Sequence, residues 1–189
     1  MMNTASTYLD ELTRLISAME IKNAAGEKLS LDEGGKAALD LIRETKKKKA
    51  KAVVVGNGGS AAIASHMQND LCKAVGMRSL VFTEQPLLTA LANDDGYQTA
   101  YETLMNLWAE PDDLLIAISS SGRSENILRA AAAARTAGGR IITMSGFAAD
   151  NRLRSLGDVN FYIPSDSYGH VEMAHAALSQ FLTDALKDE

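Results

Sequence analysis

The sequence predicts an α/β protein, a parallel sheet held between two layers of helices. Three observations predict it. Short apolar runs rich in β-branched residues, at 52–55 and 114–118, have the character of strands buried on both faces. Each run empties into a loop of glycines or serines and then into a segment of helical periodicity. Strand and helix alternate in this way from residue 52 onward, the pattern of successive crossovers onto one sheet.

The elements follow in order. Residues 4–19 read as an amphipathic helix with Leu9, Leu12, Leu15, Ile16 and Met19 on one side. Residues 23–28 read as a loop. Ser30 and Glu33 form a capping box that opens a second helix through residue 42, although the Gly34-Gly35 pair weakens its first turn. The four lysines 46–49 suit the solvated C-terminal end of that helix, where cations are favoured. A strand at 52–55 leads to a helix at 61–75, and a strand at 79–82 follows. Helices at 87–92 and 97–108 flank the polar turn 93–96. A strand at 114–118, a helix at 124–137, a strand at 141–144 and a half-exposed strand at 159–163 come next, and a long helix at 170–187 closes the chain. The expectation is one domain over residues 1–189: a three-layer α/β/α sandwich on a five-stranded parallel sheet. Residues 1–50 form an N-terminal helical extension that packs in an oligomer.

Composition excludes several functions. A net charge of -5, with no aromatic residues among the lysines, argues against nucleic acid. No run of 18 apolar residues spans a membrane, and the N-terminus lacks the pattern of a secretory signal. Cys72 is the only cysteine, so no intrachain disulfide forms, and a reducing cytoplasm is expected.

The chemistry concentrates at two strand ends. Ser119, Ser120, Ser121 and Ser124 with Gly122 form a turn between a buried strand and a helix N-terminus. Free N–H groups, the helix dipole and short hydroxyl donors make such a turn an anion site. Gly56-Asn57-Gly58-Gly59-Ser60 is the second such loop. Its spacing Gly56, Gly58, Ala61, with Glu84 past the next strand, also fits a dinucleotide fingerprint, but a dinucleotide site leaves the serine loop without a purpose. Two helix pairs could bind a divalent cation or move protons: His66 with Asp70, four apart, and Glu172 with His175, three apart. Gln180 is roughly co-facial with Glu172. Asn93 and Asp94 sit in a polar turn, where Asx residues also occur for local reasons.

Together, Gly56 to Ser60, Asn93-Asp94 and Ile118 to Ser124 resemble the sugar isomerase (SIS) domain, within it the phosphoheptose isomerases, from about residue 50 onward. The resemblance implies a flavodoxin-like SIS fold and an aldose–ketose isomerase of heptose biosynthesis. Its substrate would be sedoheptulose 7-phosphate or a closely related sugar phosphate, and the route a metal-stabilised enediolate. It places Ser119, Ser120, Ser121 and Ser124 on the phosphate. Asn57, Gly58, Gly59, Ser60, Asn93, Asp94, Glu172 and Gln180 go to the sugar site. His66, Asp70, Glu172 and His175 go to a divalent metal, zinc foremost, and Asp70, Glu172 and His175 to catalysis. No organic cofactor is implied, and the assembly is a homotetramer with sites between subunits. The family carries glutamate, glutamine and histidine where this chain has Asp70, Glu172 and Gln180. That leaves a second reading: a non-catalytic module binding a sugar phosphate or a protein partner, as in the branch resembling the replication-initiator-associating proteins.

Overall fold

The computed structural model describes residues 4–187. Helix α1 (Ala5–Ser17) is capped by Thr4, whose hydroxyl accepts the Thr7 N–H. The segment read as a loop, 23–28, is the turn of a hairpin whose strands, β1 (Glu20–Asn23) and β2 (Lys28–Leu29), were not expected. The Asn23 side chain closes its turn by accepting the N–H groups of Ala25 and Glu27. Helix α2 (Leu31–Lys47) carries the expected capping box, with the Glu33 carboxylate accepting the Ser30 N–H at 2.8 Å.

From there the alternation runs as the sequence implies. Strand β3 (Ala52–Val55) leads to α3 (Gly59–Lys73), β4 (Ser79–Val81) to α4 (Gln85–Leu91), and a π-helical turn (Ala92–Gly96) enters α5 (Tyr97–Trp108). Strand β5 (Leu114–Ser119) leads to α6 (Glu125–Thr136), and β6 (Arg140–Ser145) to a 3-10 turn (Arg152–Ser155) and β7 (Val159–Tyr162). Helix α7 (Tyr168–Asp184) closes the described chain.

The sheet has seven strands in the order β2-β1-β7-β6-β5-β3-β4, not five. The five strands from β3 to β7 are mutually parallel. Strand β1 adds antiparallel to β7 with Ile21 opposite Phe161, and β2 pairs antiparallel with β1. This addition is why β7, expected to be half exposed, is buried along its whole length. A strand of only four residues with mixed burial gives little alternation to read, so tertiary pairing decided its conformation.

Side-chain alternation divides the core. Ala52, Val54, Leu114 and Ile116 face α2, α3 and α7, while Val53, Val55, Leu115 and Ala117 face α5 and α6. Helix α2 therefore lies in the same layer as α3 and α7. Crossovers leave β3 toward β4 on one side and β5 toward β6 on the other, so the chain reverses direction between β3 and β5. Ligands of open α/β sheets bind at the carboxyl ends of the strands at such a reversal. At the opposite, amino end the charges are paired. Lys51 Nζ lies 2.6 Å from Asp113 Oδ2 and 2.8 Å from Glu110 Oε2. Asp113 also accepts the N–H groups of Lys51 and Glu110. Burial works against the Lys51 charge, but the two carboxylates outweigh it and hold its pKa above that of an ordinary lysine.

Candidate functional site

The loops after β3 and β5 stand side by side because their strands pair in parallel, Val55 opposite Ala117. In the serine loop, Gly122 has φ +60 and its N–H bonds the Ser119 carbonyl. A Cβ there would strike the Asn151 carboxamide, so glycine is required twice over. Asn151, buried at 3% exposure, donates to the carbonyls of Gly146 and Ala148 and accepts the Arg154 N–H. The Gly146 N–H bonds the Ser120 carbonyl and the Leu153 N–H bonds that of Gly122. The loop after β6 thus braces the loop after β5.

The hydroxyls sort themselves. Ser119 and Ser124 Oγ atoms lie 3.3 Å apart. Ser121 Oγ accepts the Arg123 N–H. Ser120 Oγ is buried with no hydrogen-bond partner. Buried polar groups are nearly always satisfied, so an orphaned hydroxyl at a strand end calls for a partner. The Ser124 side chain makes no cap bond to α6. The Ile127 N–H is taken by Asn126 Oδ1 and the Ser124 carbonyl, which leaves the N–H groups of Glu125 and Asn126 to meet an anion. Arg123 faces outward and pairs with exposed Asp150.

The glycine loop is uncapped too: Gly58 precedes α3 and has no side chain to cap it. Asn57 forms a reciprocal carboxamide pair with Asn126, at 3.0 and 2.9 Å, and its oxygen also accepts the Tyr97 hydroxyl at 2.7 Å. Buried Tyr101 donates to the Gly56 carbonyl at 2.9 Å, and burial pushes its phenol pKa well up, so it remains a donor. The Glu172 carboxylate packs on Gly59, where any Cβ would collide with it; an anion at a helix N-terminus is favourably placed. Ser60 is buried in the first turn. Asn93 and Asp94 are exposed on the π-helical turn, and Asn93 Nδ2 donates to Asp94 Oδ1 at 2.8 Å. The tie from this segment to the glycine loop is Tyr97.

The four residues expected to share a cation do not converge. His66 Nε2 is 3.4 Å from Asp70 Oδ2, and both line a groove of about 210 Å³ with Gln180, Ser179 and Met67. Glu172 lies about two helical turns from Gln180, over Gly59. His175 has to be corrected most. It is completely buried, its Nε2–H donates to the Ser145 carbonyl at 3.2 Å, and burial drives its pKa down to about 4. A spacing of three places it near the face of Glu172, but the extra rotation turns it into the sheet. Among the described residues no group of three or more His, Cys, Asp and Glu side chains can hold a metal ion. His66, Asp70 and the Gln180 carboxamide fall short of the donor set of a catalytic zinc site.

Sequence reading missed Asn126, Tyr97 and Asn151. Asn126 and Asn57 are 69 residues apart, a pairing that no local spacing reveals. The one local signal was a polar residue in the first turn of a helix that otherwise buries Ile127, Leu128, Ala130 and Ala131.

Comparison with known proteins agrees with this geometry. Residues 7–146 match the SIS domain family. The phosphoheptose isomerase of Helicobacter pylori (strain P12) is 30% identical over 164 residues, covering 84% of this chain and 85% of that protein. That of Sulfurimonas denitrificans is 30% identical over 192 residues, covering 96% of this chain and 95% of the other. Among solved structures, phosphoheptose isomerase from Neisseria gonorrhoeae has the same fold, with a TM-score of 0.83 at 23% identity over 96% of both chains.

Proposed function

The chain belongs to the SIS domain family, on its phosphoheptose isomerase branch, and from that premise we propose that it interconverts a phosphorylated ketose and aldose. Sedoheptulose 7-phosphate is the first candidate substrate. The observation that carries this reading is the buried, unpartnered Ser120 hydroxyl in a loop that opens an uncapped helix. The serine loop holds the phosphate through Ser119, Ser120, Ser121 and Ser124 and the N–H groups of α6. Binding energy gained there, remote from the reacting carbons, orients the sugar over Asn57, Gly58 and Gly59.

Isomerisation moves a proton between adjacent carbons, which needs a group that can accept and return it. Glu172 is the carboxylate beside the glycine loop and takes that role. Asp70 is turned toward His66 instead. His175, neutral and enclosed, has no part in proton transfer. Among the described residues, the donors of one chain do not make a complete metal centre.

A homotetramer is also proposed. Leu31 and Phe181, 45% and 48% exposed, flank an apolar groove with Ile16 and Met19 on the N-terminal side of the molecule, a surface suited to a second copy. The rival reading, a binding module without turnover, is favoured by Gln180, which cannot exchange a proton at neutral pH. Incubation with sedoheptulose 7-phosphate, with and without zinc, separates the two. Aldose formation that Glu172→Gln abolishes supports the isomerase. Tight binding without conversion supports the module.

A further inference from the structure

The polar groups around Asn57 form a chain whose direction is fixed at one end. The Ile127 N–H, shared with the Ser124 carbonyl, points at Asn126 Oδ1, 3.0 Å away. A backbone N–H can only donate, so the oxygen of Asn126 has to face it. That orientation presents the same oxygen to Asn57 Nδ2 at 3.0 Å and sends Asn126 Nδ2 to Asn57 Oδ1 at 2.9 Å. Tyr97 then donates to the remaining lone pair of Asn57 Oδ1 at 2.7 Å. Both lone pairs of the Asn57 oxygen are now occupied. One of its two amide hydrogens is also used, and a single N–H is left.

We propose that Tyr97 and Asn126 are positioning residues that set the polarity of Asn57, so that its carboxamide meets a sugar phosphate only as a donor to a ligand oxygen. The inference rests on the reading that these loops bind a sugar phosphate. A free carboxamide is ambivalent; it can turn over to accept from a hydroxyl or donate to an oxygen. Here Asn126, 3% exposed, locks one edge from inside, and Tyr97, 42% exposed, locks the other from outside. Tyr97 begins α5 directly after the π-helical turn, an irregularity often found at functional sites, which places it within reach of the β3 loop. The three residues tie together the loop after β3, the first turn of α6 and the crossover that precedes β5, around the point where the chain reverses direction.

Tyr97→Phe removes one oxygen from a half-exposed ring. In the full-length protein it should weaken binding of sedoheptulose 7-phosphate about five-fold to ten-fold by titration calorimetry, the range of one hydrogen bond. In turnover, KM should rise by a similar factor with little change in kcat. Binding of inorganic phosphate, which occupies the serine loop alone, should stay within about twofold. Asn57→Asp keeps the shape but has no hydrogen to donate, and should lose more than about tenfold. The inference is overturned if Tyr97→Phe binds the sugar phosphate as wild type does. It is equally overturned if both ligands weaken together, as a merely structural role would have it, or if Asn57→Asp binds normally. Failure of the underlying reading looks different: Ser120→Ala would then leave the affinity for both ligands untouched.

Discussion

The two ends of the sheet treat polar groups in opposite ways. At the amino end the buried charges are paired, although the Ser79 hydroxyl at the start of β4 is buried without a partner. Lys51, Asp113 and Glu110 close on one another, and Asp158 accepts the Ile141 N–H at 2.7 Å and bonds Arg135 and Arg140. Burial raises the Asp158 pKa, but these donors outweigh it and the net shift is downward. At the carboxyl end, Ser120 Oγ is left unpartnered and α3 and α6 begin without side-chain caps. The chain does cap helices elsewhere, since Thr4 and Ser30 cap α1 and α2. Paired charges hold the fold together at the amino end, while at the carboxyl end the uncapped helices and the Ser120 hydroxyl keep capacity for the proposed ligand.

That contrast can be broken by substitution at either end. The largest effect belongs to Asp113→Ala, which leaves the Lys51 ammonium, whose side chain is only 9% exposed, with Glu110 alone and removes the acceptor of the Lys51 and Glu110 N–H groups. Urea denaturation should show a loss of about 3–5 kcal/mol, with sugar-phosphate affinity of the folded protein unchanged. A loss under about 1 kcal/mol would mean that the pair is solvated and the amino end is no anchor.

Next comes pH. His175 has a native pKa of about 4 against 6.5 unfolded, so below 6.5 the unfolded chain takes up a proton that the native one refuses. Stability should therefore fall as pH drops from 6.5 to 4, by up to roughly 1.4 kcal/mol per unit from this group. His175→Asn should flatten that part of the profile relative to wild type. Identical pH slopes for the two proteins would contradict its enclosure.

Ser120→Ala sharpens the comparison from the other side. It breaks no internal bond, so stability should hold or rise, while sedoheptulose 7-phosphate affinity falls about tenfold, about 1.4 kcal/mol. A drop in stability equal to the drop in affinity would place Ser120 with the scaffold. Smallest is Asp150→Asn, which cuts the exposed pair with Arg123. A change below about 0.5 kcal/mol in stability is expected, and a larger one would show that the rim of the serine loop is held by charge.

Most of the parallel core was legible because buried strands and amphipathic helices advertise themselves by period. The five runs from β3 to β7 and the capping box at Ser30 appear where periodicity and cap chemistry put them. Strands β1 and β2 were not legible, since four and two residues of mixed polarity carry no period. At the site, contiguous motifs could be read: the serine and glycine loops each lie on one stretch of chain. The rest depended on distance or on rotation. Asn126 and Tyr97 acquire their roles only when Asn57 is brought to them across the sheet. His175 was misplaced because a spacing of three on a helix leaves about 60° of rotation, enough to exchange the groove for the core.

The pairing of β1 with β7 also governs the timing of assembly. Residues near position 20 leave the ribosome well before their partners, Val159 to Tyr162, are made. Until Phe161 is made Ile21 has no seat, and the emerging chain carries an unfinished flank. Closing that gap joins segments roughly 140 positions apart, a slow kind of contact to form. The fold is zipped shut at its seam only after every strand that lies between the two in sequence has been made.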